Sequence, residues 1–191
     1  RAMTEMLRED QLDLMLCNLV NQEGELEYEH LCWDPVIFLV QSAHPCCRYA
    51  RYRDTFYHPW IDLREFEQEI FILQHQGQSL RQYSDQLLEE AGLSPQRITQ
   101  IRNIETAAQM AANGLGVSFC LESYFRHMMF IQPPYRFSVG ERQLAADFSA
   151  AYRRGRQLPE YTVQFIHLLK NLMEMEVGRM VEMDKSVNKN L

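Results

Sequence analysis

Two segments that lie far apart in the chain each lead from a helix directly into a strand. Residues 7–16 (LREDQLDLML) lead from the end of an amphipathic helix into an apolar run. Residues 107–119 (AAQMAANGLGVSF) lead from a helix through a Gly-Leu-Gly turn into a second apolar run. Apolar residues spaced for a helix and followed at once by a strand are typical of proteins in which helices cover a sheet. The sequence therefore predicts an α/β fold.

The pattern between and around these segments predicts further helices and strands in alternation. Helices are predicted over residues 2–9, 80–91, 104–112 and 122–128, and Pro159 opens a last helix. Strands are predicted over residues 12–17, 26–33, 36–40, 69–74, 97–101, 117–121 and 145–152, the first of them covered on both faces. Asp10 is predicted to take the left-handed conformation after the first helix. Binding loops in such sheets lie beyond the carboxyl ends of the strands.

Composition argues against several classes of protein. The chain has 191 residues, enough for one domain or two small lobes, and its net charge of -7 argues against a nucleic-acid surface, which needs clustered Lys and Arg. No apolar run approaches the ~20 residues of a transmembrane helix. The five cysteines lack metal-ligand spacing and indicate a reducing compartment, so the chain is predicted to be cytoplasmic.

The sequence shows no catalytic constellation. It has no Gly-x-Ser-x-Gly elbow, no phosphate-binding P-loop and no paired carboxylates at a predicted strand end. The histidines lack the close spacing of metal ligands. Cys46 and Cys47 are adjacent in a polar turn and are either a redox-sensitive pair or two loop thiols. A sensor module without metal or cofactor is therefore favoured over an enzyme.

Five stretches of the chain resemble the effector-binding (regulatory) domain of LysR-type transcriptional regulators. They are residues 7–16, residues 34–40 with His44-Pro45, residues 61–63, residues 112–117, and residues 153–159 followed by an apolar helix. Together they cover residues 2–173 in the order and spacing of the family. Asp10 stands where the family usually has Gly, and Leu121 where it usually has Pro. The strand, helix and strand with which such a domain normally begins do not precede Ala2.

The resemblance implies a two-lobed α/β fold of the periplasmic-binding-protein-like type 2 class, in which each lobe is a mixed sheet flanked by helices and two hinge strands cross between the lobes. Lobe I would comprise residues 1–41 and 153–175, lobe II residues 42–152, and residues 176–191 a C-terminal tail. A small effector between the lobes would control the DNA-binding state of the oligomer. The resemblance also implies a homodimer, a tetramer in the full-length parent, and DNA contact only through an N-terminal winged helix-turn-helix absent from this chain.

Loops that follow strands supply the candidate ligand-binding residues. Such loops present free backbone N–H groups at the next helix N-terminus, and these groups bind carboxylates without a basic side chain. The candidates are Asn18, Gln41, Ser42, His75, Gln78, Ser79, Asn103 and Thr106. Those at helix starts could instead only cap their helices, and Gln41 and Ser42 could be hinge residues. The predicted effector is a small polar metabolite that carries a carboxylate.

Two other functions would fit the same fold. A free-standing solute-binding protein would need export, and an enzyme would need acid, base or cofactor-binding residues in the cleft, which the sequence does not show. The last predicted helix also carries an apolar stripe formed by Ile166, Leu169, Met173, Val177 and Met180. Either the later residues of this stripe lie at a homodimer interface, or the stripe packs on its own subunit.

Overall fold

A computed structural model describes the backbone of residues 2–187 and the side chains of residues 3–173. The helices in this part are α1 (Ala2–Arg8), α2 (Ser79–Glu90), α3 (Ile104–Ala112), α4 (Glu122–Arg126) and α5 (Glu160–Val187). The strands are β1 (Met15–Leu19), β2 (Leu26–Val40), β3 (Ile70–Leu73), β4 (Arg97–Gln100), β5 (Val117–Leu121), β6 (Tyr135–Phe137) and β7 (Ala145–Arg153). Two short 3-10 helices cover Pro45–Tyr49 and Leu63–Phe66. Helices and strands alternate through much of the chain, as predicted.

The chain folds as two compact units. The first unit contains the chain up to Trp33 and from Asp147 onward, and the second is Asp34–Ala146. The chain therefore passes between the units inside β2 and again inside β7. These positions differ from the predicted lobe boundaries after residues 41 and 152. The difference arises because the apolar residues 36–40 pair with β5 and so belong to the sheet of the second unit.

The first unit is built on β1, β7 and the first half of β2, with β7 in the middle. β7 pairs with β1 in antiparallel register, and Leu31, Ala150 and Ile166 form a small buried cluster that joins this sheet to α5. Contrary to the prediction, β1 is not covered on both faces. It is the last strand of the sheet in the described part and stays largely half-buried. Asp10 has a φ of 57°, which confirms its predicted left-handed conformation.

The second unit contains a mixed sheet in the order β2, β5, β3, β4, with β6 paired to β2. β3 is parallel to β4 and β5, whereas β2 is antiparallel to β5. Leu80 and Leu87 of α2 are buried with Phe38, Phe71 and Phe119 in the main core. A second core joins Ala108 and Ala111 of α3 to Ile37, Leu39 and Cys120. Helices thus cover both faces of this sheet.

Gly116 in the turn between α3 and β5 allows a very close backbone approach. A Cβ atom on Gly116 would lie 2.3 Å from the carbonyl oxygen of Ile70, at the start of β3. Its φ of 152° is also one that other residues rarely adopt. The Gly-Leu-Gly turn is therefore a requirement of packing between β5 and β3.

The C-terminal helix α5 contacts its own unit through its first turns. Ile166 is buried, whereas Leu168 and Leu172 are exposed on the outer side of the helix. Val177 and Met180, which carry the interface prediction, lie outside the residues whose side chains the structure describes, so that prediction stays open. Within the described residues, no helix is both long enough and apolar enough to cross a membrane.

Candidate functional site

The carboxyl ends of β3, β4 and β5 lie at one edge of the sheet in the second unit. β3 is parallel to both neighbours, so the loops that follow these three strands emerge on the same side. The loop after β3 contains His75 and Gln78 and leads into Ser79, the first residue of α2. The loop after β4 contains Asn103, with Thr106 in the first turn of α3. The structure therefore brings five of the predicted site residues to one edge.

Gln78 connects two of these loops. Its side-chain amide donates to the carbonyl of Arg102 at 3.1 Å, and its side-chain oxygen accepts from the backbone N–H of His75 at 3.1 Å. Gln78 occupies the N-cap position of α2 without capping that helix through its side chain. Backbone N–H groups at the start of α2 consequently lack a side-chain cap, and a helix start of this kind favours a negatively charged ligand.

Asn103 and Thr106 are occupied with each other. The side-chain oxygen of Asn103 accepts from the backbone N–H of Thr106 at 2.8 Å and from its hydroxyl at 3.2 Å. Asn103 is therefore the N-cap of α3, and capping is one role that the sequence left open for it. Both side chains are nevertheless exposed at the same edge as His75.

Gln74 begins the loop after β3 that the sequence nominated, but it was not among the predicted ligand-binding residues. It follows the last residue of β3, is fully buried, and neither atom of its side-chain amide has a hydrogen-bond partner in the described part of the chain. Its backbone carbonyl accepts from the Arg81 guanidinium at 3.1 Å. An unpaired buried amide costs about 1–3 kcal/mol, so such groups call for an explanation. The only available sequence signal was a Gln that ends an otherwise apolar run.

The remaining predicted site residues lie elsewhere. Gln41 follows β2, and its side chain lies so close to Gly114 that a Cβ there would be 2.6 Å from the amide oxygen. Because β2 runs antiparallel to β5, Gln41 and Ser42 lie at the opposite edge of the sheet from His75. Asn18 lies on β1 in the first unit, where it pairs with Phe148 of β7. Its side-chain oxygen is buried and has no hydrogen-bond partner among the described residues.

Beyond β5, a buried charged cluster that the sequence reasoning also missed fixes the start of α4. Glu122 accepts from His58 at 2.8 Å and from Arg136 at 2.7 Å, with Arg126 at 3.2 Å. The side chains of His58 and Glu122 are only 7% and 4% exposed. Burial pushes the pKa of Glu122 upward, but the hydrogen bond and charge of His58, followed by the two arginines, outweigh it and lower that pKa to about 2.

Asp34, the first residue of the second unit, lies beside this cluster. Its carboxylate accepts from the backbone N–H of Ser123 at 3.0 Å and from the Ser123 hydroxyl. Burial raises the pKa of Asp34, and the hydrogen bonds from Ser123 oppose this shift. The position at which the chain enters the second unit is thus tied to the start of α4.

Cys46 and Cys47 lie in an environment that disfavours the thiolate. Burial raises the pKa of Cys46, and burial together with the neighbouring thiol raises the pKa of Cys47 to about 11. A reactive cysteine needs a lowered pKa. The raised pKa values therefore favour the interpretation that Cys46 and Cys47 are loop thiols and not a redox-sensitive pair. Among the described residues, no group of three or more His, Cys, Asp or Glu is arranged to hold a metal ion.

Comparison with known sequences connects this architecture to transcription regulators. The family model of the LysR substrate binding domain matches residues 1–174. Over 114 residues the chain is 31% identical to the uncharacterized HTH-type transcriptional regulator YybE of Bacillus subtilis (strain 168), a match that covers 60% of this chain and 36% of that protein. The chain thus spans only about a third of the length of the curated relatives it matches, 36% in each case.

Solved structures show the same fold at low sequence identity. The effector binding domain of BenM with its effector benzoate has a TM-score of 0.73 at 16% identity, over 93% of this chain and 76% of that one. The regulatory domain of Synechocystis PCC6803 CcmR in complex with 2-PG has a TM-score of 0.73 at 17% identity, over 90% of this chain and 78% of that one. These similarities confirm the predicted periplasmic-binding-protein-like α/β fold.

Proposed function

The chain belongs to the LysR substrate binding domain family, and we propose that it senses a small polar effector for a bacterial LysR-type transcription regulator. The family and the curated relatives are transcription regulators, not enzymes. The chain spans about a third of those relatives, so control of DNA binding by the oligomer is part of the proposal. A free-standing solute-binding protein remains the alternative.

The buried, unpaired amide of Gln74 is the observation that carries the effector proposal. Gln74 begins the loop after β3, which Gln78 connects to the loop after β4. The first loop leads to Ser79, and the second leads to Asn103 and Thr106. A ligand that enters among these loops would give the amide the hydrogen bonds it lacks, and the start of α2 would favour a carboxylate on the same ligand. The BenM domain with its effector benzoate, a carboxylate, supports this ligand class.

Ligand-induced stabilisation tests the effector class. Mass action predicts that a carboxylate at ~100 times its dissociation constant adds about 2.7 kcal/mol to the free energy of unfolding. A thermal-shift screen would include benzoate and shikimate as carboxylates and toluene as an apolar compound. Ser79→Ala or Thr106→Ala should weaken the shift without unfolding the domain, whereas Ser94→Ala, away from these loops, should not. Stabilisation by toluene alone would refute a polar effector.

We propose that the protein acts as a homodimer, and as a tetramer in the full-length parent, with the effector as its small-molecule partner. Oligomers are consistent with the family, and DNA would be contacted only by an N-terminal winged helix-turn-helix. A cytoplasmic location follows from the same proposal. Light scattering on the 191-residue chain tests the dimer. A monomer at all concentrations would refute it.

A further inference from the structure

A run of arginines and tyrosines forms an exposed basic surface on the second unit. It comprises residues 48–53 (RYARYR), called here the arginine–tyrosine segment, which begins in the last two residues of the 3-10 helix Pro45–Tyr49 and continues beyond it. Tyr49 is 43% exposed and Tyr52 is 66% exposed. Arg, Tyr and Trp are the residue types most enriched at the energetic centres of protein interfaces. Such a run is unusual in a chain with a net charge of -7.

Trp60 holds the second half of this segment in place through contacts with Arg51 and Arg53. The backbone N–H and C=O of Arg51 and Trp60 pair with each other at 2.8 and 2.7 Å, and the indole N–H of Trp60 donates to the carbonyl of Gly140 at 2.8 Å. The guanidinium of Arg53 stacks over the Trp60 ring at 3.5 Å. Stacking orders an arginine and leaves its N–H groups free to donate. The positive charges of the segment are therefore presented from a backbone that Trp60 fixes.

The arginines of this segment form no direct ion pair within the described part of the chain, although Glu65 lies in the field of Arg48 and Asp62 in that of Arg53. Arg48 contacts Tyr49 through a hydrogen bond of 2.7 Å and a stacking distance of 4.8 Å, and neither Arg48, Arg51 nor Arg53 forms an ion pair with any described carboxylate. Other arginines of the chain do so, for example Arg64 with Asp62 and Arg81 with Asp85. The segment thus offers oriented guanidinium groups without an ion pair to a partner that carries carboxylates.

A complementary acidic surface exists on the first unit of the same chain. Residues 23–29 (EGELEYE), called here the acidic segment, contain four glutamates. Arg8 pairs with Glu23 and Glu25 at 2.7 Å each. Glu27 and Glu29, on β2, have no ion pair among the described residues. Burial, followed by the charges of these two glutamates and a hydrogen bond to Glu27, raises the pKa of the Tyr152 phenol. These two half-buried carboxylates therefore carry negative charge that no described arginine or lysine balances through an ion pair.

We propose that the arginine–tyrosine segment of one chain docks on the acidic segment of a second copy. This inference rests on the proposed homodimer and assigns surfaces to it. A two-fold dimer repeats such a contact twice, since each chain contributes both segments. Opposite charges on the two surfaces overcome locally the repulsion between two chains that each carry -7, and they set the relative orientation.

Charge reversal on each surface tests the contact by sedimentation velocity of the 191-residue chain. Arg48→Glu with Arg51→Glu leaves the Arg53–Trp60 stack intact and should raise the dimer dissociation constant at least ~10-fold, equivalent to about 1.4 kcal/mol. Glu27→Lys with Glu29→Lys should do the same. The combination of all four substitutions should restore association. Arg102→Glu, an exposed arginine of the second unit outside the segment, is the matched control and should have no effect.

Two further measurements, of folding and of salt dependence, complete the test. Circular dichroism melts identify a variant that fails to fold, and raising the salt concentration should weaken the wild-type dimer, because exposed charges are screened. A wild-type dimer that both charge reversals leave unchanged overturns the docking proposal alone. A monomeric wild type overturns the homodimer as well. A monomer that binds a DNA duplex through Arg48 and Arg51 would assign the segment to nucleic acid and also overturn the proposal.

Discussion

At the scale of single residues, Gln74 and Glu122 show opposite ways of burying a polar group. Glu122 is surrounded by donors, including His58 and Arg136, that more than offset its burial. Gln74 has no partner for either amide atom. A satisfied buried charge stabilises its surroundings, whereas an unsatisfied amide costs stability and is retained where it serves another purpose. Each behaviour leads to a measurable consequence.

Gln74→Leu should stabilise the protein and abolish effector binding together. Replacing an unpaired buried amide by an apolar side chain of similar size removes a penalty of about 1–2 kcal/mol. Chemical denaturation measures the gain, and the thermal-shift screen measures the lost response to carboxylates. Gln82→Leu, on the exposed side of α2, is the control and should change stability by less than about 0.5 kcal/mol. A less stable Gln74→Leu variant would show that the amide is satisfied in the absence of ligand.

Glu122→Gln should destabilise the protein by about 3 kcal/mol near neutral pH, the lower end of the range for a buried pair, because it removes the carboxylate from the buried His58 and from the partly exposed Arg126 and Arg136. The folded-state pKa of Glu122, about 2, lies below its ordinary value of 4.5, so the ionised carboxylate stabilises the fold above pH 4.5, and this stabilisation is lost as the pH falls toward 2. When the free energy of unfolding is measured by urea denaturation between pH 4.5 and 2, it should change less with pH for Glu122→Gln than for wild type. The exposed Glu89→Gln serves as control. Equal slopes would contradict the assignment.

At the scale of elements, the turn between α3 and β5 shows how strongly one contact can fix a local structure. The carbonyl of Ile70 leaves no room for a side chain at position 116, and the backbone there has a conformation that favours Gly. β3 and β5 thereby align in parallel, and their carboxyl ends reach the edge that holds His75 and Gln78. The turn thus contributes to the candidate site from the far end of the sheet.

Gly116→Ala should destabilise the second unit by about 3 kcal/mol, the upper part of the range for overpacking. Thermal unfolding would show the loss, and Gly24→Ala, where a Cβ meets nothing within 4 Å, is the matched control. An unchanged midpoint for Gly116→Ala would mean that β3 and β5 can separate at no cost.

The elements that the sequence predicted well are those with local signals. α3 and β5 have the predicted bounds, because Asn103 caps the helix and Gly114 and Gly116 separate it from the strand. β2 was predicted as two strands, an alternating one over residues 26–33 and a buried one over residues 36–40. Asp34 instead stays within the strand and bonds to Ser123, which is 89 positions away. A partner so remote leaves no periodic signal. The burial of Gln74 depends on how the chain packs around the end of β3, and it likewise leaves no local signal.

At the scale of the whole molecule, the two units differ in how the chain forms them. The second is one continuous stretch, Asp34–Ala146, with its own cores around Phe38 and around Ala108. The first combines both ends of the chain, since its central strand β7 lies between β1 and β2. Continuity and a separate core are what an independently folding domain requires.

The fragment Asp34–Ala146 should therefore fold on its own. We expect a cooperative thermal transition and dispersed amide resonances, because its helices cover both faces of its sheet without any residue of the first unit. Phe71→Asp in the same fragment buries a charge in the main core and should abolish the transition. A wild-type fragment that behaves like the Phe71→Asp variant would show that the second unit depends on the first.

The discontinuity of the first unit also imposes an order on biosynthesis. A ribosome that adds about 5–20 residues per second completes Asp34–Ala146 before it adds the rest of β7 and α5. Until then β1 and the first half of β2 have no central strand to pair with, and Leu31 has neither Ala150 nor Ile166 to cover it. The nascent chain thus carries unpaired strands ahead of a finished unit, which makes this interval the natural point for a chaperone to engage it.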